Sequence, residues 1–384
     1  MAKGLEDVPA GEVANYQQMA LIRLLLYVTG EVHRLLGEVV AAGQSILKDG
    51  DFDGVAAGRL QKVLLATWDG FIIQYAELIR HGLREGASIP FGMLAVLHEA
   101  EIVRALDESV LIGSPGRVFN EQSQVLGGVF EPQLVEIVQA VQARVLGDGL
   151  NLSGRIWRLD AEGRLGIGKV IMEALGSGKS AWETAKLLEG FLGVGQDCPR
   201  WTEDRLWGLT KKDIAGGDVT GLLKGSDCDG RGVAYNALRL ARNEIQIAHH
   251  RATDLVMGRM PWVDEEQIHL SPAHPTPDVC DEVIAAGRDG KGIYPKGEIA
   301  LPLHVQCLCF KSAILMDDDL FVGKLRGWMK GETKWPEMDT YEKMIDGNVE
   351  TSLLKSAVGV SMAAWLWGGK NWLDALFWQI ATSL

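Results

Sequence analysis

From Asn15 to Leu47 the apolar side chains Ile22, Leu25, Leu26, Val32, Leu35, Leu36, Val39 and Val40 recur at steps of three and four residues. That period lines one side of a long helix. After the break "KDGDFDG" it resumes through "LQKVLLATWDGFIIQYAELIRHGL", and "REGASIPFG" separates this second run from a third, "MLAVLHEAEIVRALDE". The turn "GSPG" (113–116) closes the third. A fourth, "PQLVEIVQAVQARVLG", places Pro132 in a first turn, where its missing N–H is tolerated. Long helices with short connections predict antiparallel neighbours in a bundle.

Around "GDGLNLSG" (147–154) the texture changes. Helices continue to about Leu192, a Trp- and Gly-rich connector covers 193–231, and another helix covers about 232–257. The period then shortens. "WVDEEQIHLS" alternates loosely, prolines and glycines dominate to 302, and "HVQCLCFKSAIL" reads as the returning strand. A tail after Asp319 carries six of the chain's 12 tryptophans, which predicts docking on a partner or another domain, or a C-terminal helix on the chain's own core. The expected organisation is therefore a helical docking domain (1–150), a mixed domain with a short-stranded, metal-clipped region (151–319) and a Trp-rich tail (320–384). The fold class is α+β, predominantly helical.

Composition narrows the function classes. With 384 residues, 47% of them hydrophobic, the chain has material for two or three cores. Its 38 basic against 51 acidic side chains give a net charge of −13, which argues against wholesale wrapping of DNA or of an anionic membrane. The start "MAKGLEDVPAGEV" lacks the apolar core of a signal peptide. The uncharged run "SAVGVSMAAWLWGG" (356–369) is short of the roughly 20 residues a bilayer span needs, so no membrane partner is expected. Five cysteines without an export signal point to a reducing compartment, where clustered Cys and His read first as metal or redox groups.

Three motifs resemble chemistry and are better explained structurally. "GSGKS" (176–180) lacks the first glycine of a phosphate loop, because Glu173 stands there. It predicts a junction in which Gly176 or Gly178 stops one helix and "SAWE", Ser180 to Glu183, caps the next. "DGDFDG" supplies Asp49, Asp51, Asp53 and Gly54 of a calcium loop, but Leu60 replaces the closing glutamate, so an acidic turn is expected. "ARNEIQIAHHRATD" (241–254) is expected to face solvent and a partner with Arg242, Glu244, His249, His250 and Asp254.

The remaining cluster is different. "HLSPAHPTPDVCDE" (269–282) and "LPLHVQCLCF" (301–310) hold His274, Cys280, His304, Cys307 and Cys309. Two short segments that each present soft ligands, separated by a loop, match the needs of tetrahedral zinc. The polar, glycine-rich "GRDGKGIYPKGE" between them is expected to depend on such a crosslink for its shape. Five candidates compete for four positions. His274, Cys280, His304 and Cys307 are the expected set, with Cys309 as the substitute. A hydrogen-bonded Cys pair with His, or a disulfide from Cys280 to Cys307 or Cys309, accounts for the same residues. Nothing singles out a catalytic carboxylate among Asp278, Asp281 and Glu282, so structural use is favoured.

Residues 155–315 resemble the phage minor head protein, or head-morphogenesis, family typified by the F protein of phage Mu. "LGSGKSAWE", "RLARNEIQIAHH", "SPAHPTPDVCD", "GKGIYPKGE" and "LPLHVQCLC" carry the resemblance, the last three in that order being its specific part. Asn243 and Val305 depart from the family's pattern, where Thr or Ser and proline are usual; neither is a candidate ligand. The resemblance implies a low-copy structural protein of the virion near the portal vertex. Its implied partners are the portal or major capsid protein and, during packaging or delivery, DNA. The chain is expected to be made in the host cytoplasm, to carry structural Zn2+, and not to be an enzyme. A metal-dependent hydrolase or nuclease using the same cluster is the alternative. So is a DNA-contacting internal protein using Arg239, Arg242, Arg251 and Arg259.

Overall fold

The computed structural model describes residues 10–47, 52–105, 133–193, 233–271, 274, 277–305, 307–329 and 331–341. Helix α1 (Ala10–Leu47) packs along α2 (Gly54–Ala105), and Asp53 starts α2 by accepting a hydrogen bond from Ala56 N at 2.7 Å. Asp49 and Asp51 of the acidic turn lie outside the described residues. The sequence predicted two helices across 54–105, and the structure has one, with Pro90 inside it. Proline has no N–H for the carbonyl four residues earlier, which ordinarily breaks a helix. Here that carbonyl, Gly86 O, lies 3.1 Å from the buried His249 Nδ1. A neutral imidazole donating from Nδ1 satisfies it, so the helix continues.

A helix at 133–143 (α3) follows, with Pro132 outside the described residues. Helices α4 (Leu152–Gly176) and α5 (Ala181–Leu192) form the expected junction. Gly178 adopts φ +63, and Ser180 and Glu183 make a reciprocal capping box. Helix α4 lies against α2, where Trp68 Nε1 donates to Asp160 at 2.8 Å, and a Cβ on Gly163 would stand within the Trp68 ring.

Helix α6 (Val233–Arg259) corrects the sequence reading most. It was expected to face solvent. Instead Arg242, Glu244, Gln246, His249, His250 and Thr253 are buried, and α6 packs against both α1 and α2. A Cβ on Gly86 would press to 2.9 Å from Ile245 Cγ2, so glycine there lets α2 approach α6 closely. The helix carries buried charge because each charged group has a partner. Glu244 accepts from Arg144 with both oxygens at 2.9 Å and from Arg155 at 3.0 Å. Arg242 donates to Thr29 Oγ1 at 2.7 Å.

The sheet is antiparallel with order β2-β1-β3: β1 is Val263–His269, β2 Ile293–Pro295 and β3 Phe310–Leu315. A short helix, α7 (Val279–Ala286), lies between β1 and β2. The fully buried Lys311 of β3 bonds Asp254 of α6 at 2.6 Å and Glu266 of β1 at 3.0 Å, tying sheet to helices. Helix α8 (Asp318–Met329) and a last turn at 336–341 close the described chain. Phe321 and Tyr341 meet the Trp262 ring edge-on, and Trp335 meets Phe321. The beginning of the Trp-rich tail thus packs on the chain's own core; residues 342–384 lie outside the described part. One hydrophobic cluster runs from Leu21 to Tyr341 without interruption at 150 or 319. The protein is a predominantly helical α+β structure, and among the described residues no helix is long and apolar enough to cross a membrane.

Candidate metal centre

Strand pairing explains why two segments far apart in sequence meet. His269, the last residue of β1, pairs with Phe310, the first of β3. Whatever leaves β1 therefore emerges beside whatever enters β3. His274 and Cys280 follow one strand, and His304, Cys307 and Cys309 precede the other. All five candidate ligands arrive at this end of the sheet.

Cys280 sits in the first turn of α7, positioned by the N-cap Asp278, whose carboxylate accepts from Cys280 N at 2.7 Å. Asp281 answers by accepting from Asp278 N at 2.8 Å, and its Oδ2 also lies 2.6 Å from His274 Nε2. That bond fixes the imidazole ring and leaves Nδ1 for another partner. Cys307, Cys309 and Cys280 are buried in a small cluster of their own, covered by Leu303 and separate from the main core. They are free thiols, with Cys280 Sγ 3.7 Å from Cys307 Sγ; Cys198 and Cys228 lie outside the described residues.

Two ligand triads result, and they share Cys280. In His274–Cys280–Cys309 and in Cys280–His304–Cys307 one donor atom per residue lies within 4.8 Å of the others. Cys280 Sγ bonds Cys307 Sγ at 3.7 Å and lies within 4.8 Å of the Cys309 sulfur, so Cys280 stands between the two triads. The Nε2 of His304 is buried without a well-directed hydrogen bond, 3.2 Å from Asp278 Oδ2.

The electrostatics describe donors crowded together. Hydrogen bonding from Cys309, then from His304, pulls the Cys307 thiol down to about 4. The Cys307 sulfur in turn raises His304 to about 9. Cys280 is pushed up chiefly by burial, and Cys309 chiefly by sharing its proton with Cys307. Burial and mutual hydrogen bonding thus shift all four groups together.

This donor set fits a soft divalent cation. Two thiolates bound at about 2.3 Å to a tetrahedral ion stand about 3.8 Å apart, close to the separation of Cys280 and Cys307. Sulfur-rich sites with one imidazole are a common structural zinc type. Of the three nearby carboxylates, Asp278 and Asp281 are engaged in the α7 cap, Asp278 with Cys280 N and Asp281 with Asp278 N and His274, while Glu282 is exposed.

The loop between the segments differs from expectation. It was expected to need a crosslink for its shape, yet it is organised by the chain itself. Gly292 N donates to Ile284 O at 2.9 Å, and Gly297 N and Ile299 N donate to the Glu266 carboxylate. Tyr294 donates to Val283 O, and Lys311 donates to Ile299 O. Sequence reasoning missed Glu266 and Lys311, because an acidic and a basic residue in neighbouring strands look like ordinary surface pairing. Segment 301–309 is held to the helices by Gln18 Nε2, which donates to Leu308 O at 2.8 Å, and Leu308 lies in the main core. Of the basic residues considered for DNA contact, Arg242 is buried within the fold, while Arg239 and Arg251 are exposed. No family model matches this chain, and neither does any curated protein or solved structure.

Proposed function

We propose that this protein is a structural component of a tailed-phage head, a minor capsid protein of the Mu F-like kind that acts near the portal vertex through protein contacts. Its Cys/His cluster holds a structural zinc ion. The observation that carries the reading is that the three motif segments on which the resemblance rests are also the segments that build one corner. "SPAHPTPDVCD" supplies α7 with Cys280, "GKGIYPKGE" pairs β2 onto β1, and "LPLHVQCLC" brings the remaining sulfurs.

Cys280, Cys307, Cys309 and His304 are the preferred ligands. Cys280 Sγ lies 3.7 Å from Cys307 Sγ and within 4.8 Å of the Cys309 sulfur, and His304 has a buried nitrogen without a directed partner, whereas Asp281 already engages His274. The ion would crosslink α7 to the segment entering β3, supplying stability that a three-residue sulfur cluster does not. The partners on this reading are the portal or major capsid protein, with packaged DNA as a further contact and the virion as the location. Structural use of the cluster is preferred to a hydrolase because two of the three neighbouring carboxylates, Asp278 and Asp281, are engaged in the α7 cap.

Elemental analysis of the purified chain tests the metal, with one zinc per chain expected and none in Cys307→Ser. Co-purification from an assembly reaction tests the location. Recovery with portal or capsid protein is expected; a protein found only free, or a hydrolytic activity lost on chelation while the fold persists, would overturn the proposal.

A further inference from the structure

Helix α4 is apolar on two opposite sides. One side, with Leu152, Leu159, Ile167, Ile171 and Ala174, enters the core. Across the helix, Gly154, Trp157, Ala161, Leu165, Gly168, Met172 and Leu175 fall within an arc of about 80° with no charged residue among them. Trp157, Leu165 and Met172 are 70%, 75% and 63% exposed. A helix with apolar residues on every side is normally buried on every side, and an exposed stripe of this kind marks a contact surface. Among the described residues nothing requires a small residue at Gly168, whose added Cβ would meet only Gln61 Nε2 at 3.8 Å.

The pattern of the stripe identifies its occupant. Read from its two ends toward Leu165, it is nearly the same: Gly154 corresponds to Leu175, Trp157 to Met172 and Ala161 to Gly168. One flank carries Arg158, Glu162, Lys169 and Glu173, all exposed. When two such helices meet antiparallel about a two-fold axis, the same flanks face each other. Arg158 then stands opposite Glu173 of the other copy, and Glu162 opposite Lys169. Trp157 of one helix then meets Met172 of the other, and the small Ala161 and Gly168 stand opposite each other, where they let the backbones approach. Arg158 also bonds Asp148 within its own chain at 2.8 Å, and its guanidinium has further donors. Self-complementarity of both shape and charge is the requirement of a two-fold interface between identical chains.

We propose that the exposed face of α4 is the seam of a homodimer, two copies pairing antiparallel with Leu165 at the axis. The inference is independent of the metal centre and of the head-protein reading. Sedimentation of the full-length chain across the micromolar range tests it, with a reversible dimer expected. Leu165→Lys puts two like charges at the axis and is expected to weaken association on the order of 100-fold. Glu162→Lys and Lys169→Glu, each creating like-charge pairs, are expected to weaken it about tenfold. Combined, these two changes restore opposite charges and are expected to bring association back toward the starting value. Circular dichroism checks that each variant keeps its helices. A monomer at every concentration would overturn the proposal, as would association indifferent to Leu165→Lys or a double variant no tighter than the singles. A monomer that dimerises only when residues 342–384 are removed would also overturn it, assigning the stripe to the chain's own tail.

Discussion

The helical body and the cysteine corner both bury polar groups, but they satisfy them in opposite ways. In the body the buried charges meet complements from the same chain: Glu244 meets two arginines, and Lys311 meets two carboxylates and a carbonyl. His249 meets the carbonyl that Pro90 leaves free. In the corner, like meets like. Three thiols and two imidazoles crowd together, and their closest partners are one another and the caps of α7. The body is not complete in this, since the buried Gln246 amide has no partner among the described residues. Its buried charges are met, whereas the Cys and His side chains of the corner stand close enough together to hold a metal ion. The contrast distinguishes polar groups buried to specify the fold from polar groups gathered to receive something from outside.

The largest expected effect lies in the body. Glu244→Ala takes from Arg155, itself nearly buried, its close carboxylate and leaves it only Asp148 at 3.6 Å, and Arg144 loses both of its bonds to Glu244. Removing one partner of a buried ion pair costs about 3–5 kcal/mol. Urea denaturation should show a loss of this size while zinc content stays unchanged. A loss below about 1 kcal/mol would mean that the interior tolerates unpaired charge, and the contrast with the corner would weaken.

A second measurement uses pH. Burial lowers His249 to about 4, and burial with the neighbouring His249 and Lys311 charges lowers His250 as well. Both are neutral in the fold, whereas in the unfolded chain each takes a proton below about 6.5. Stability is therefore complete above that value and falls as pH drops, by about 3 kcal/mol at pH ~4 from His249 alone. In His249→Gln the dependence of unfolding free energy on pH between ~6.5 and ~4 should be shallower, whatever the offset at neutral pH. An unchanged slope would show that His249 is already protonated in the native state, and that the bond to Gly86 is made by an imidazolium.

These cases also show what was legible in the sequence. Helix α1, the capping box at Ser180 and strands β1 and β3 follow from local rules of period and cap, and each was readable. The continuity of α2 was not, because it depends on His249, far along the chain, reaching the Gly86 carbonyl. The burial of α6 was hidden for the same reason: its polar residues read as surface until Arg144 and Arg155 are known to converge on Glu244. The five members of the metal cluster stood out because histidine and cysteine are scarce in this chain, and strand register brings them together. The choice among them was not readable, since spacing says nothing of where a side chain points. Cys309, placed last by spacing, is buried with the other two sulfurs and lies within 4.8 Å of His274 and Cys280.

The smallest expected effect addresses that choice directly. If Cys280, Cys307, Cys309 and His304 complete a tetrahedral shell, His274 belongs to the α7 cap, where Asp281 joins it to Asp278. Its removal should then resemble the loss of a capping interaction, about 1 kcal/mol, without loss of metal. His274→Ala is accordingly expected to retain one zinc per chain and to unfold at slightly lower urea, while His304→Ala should lose the ion. The reverse result, with zinc lost from His274→Ala and kept in His304→Ala, would make Asp281 the carboxylate that orients a metal-bound imidazole through its far nitrogen. The corner would then repeat in miniature the habit of the body, a carboxylate holding a histidine in place, with the ion as the one partner the chain does not supply.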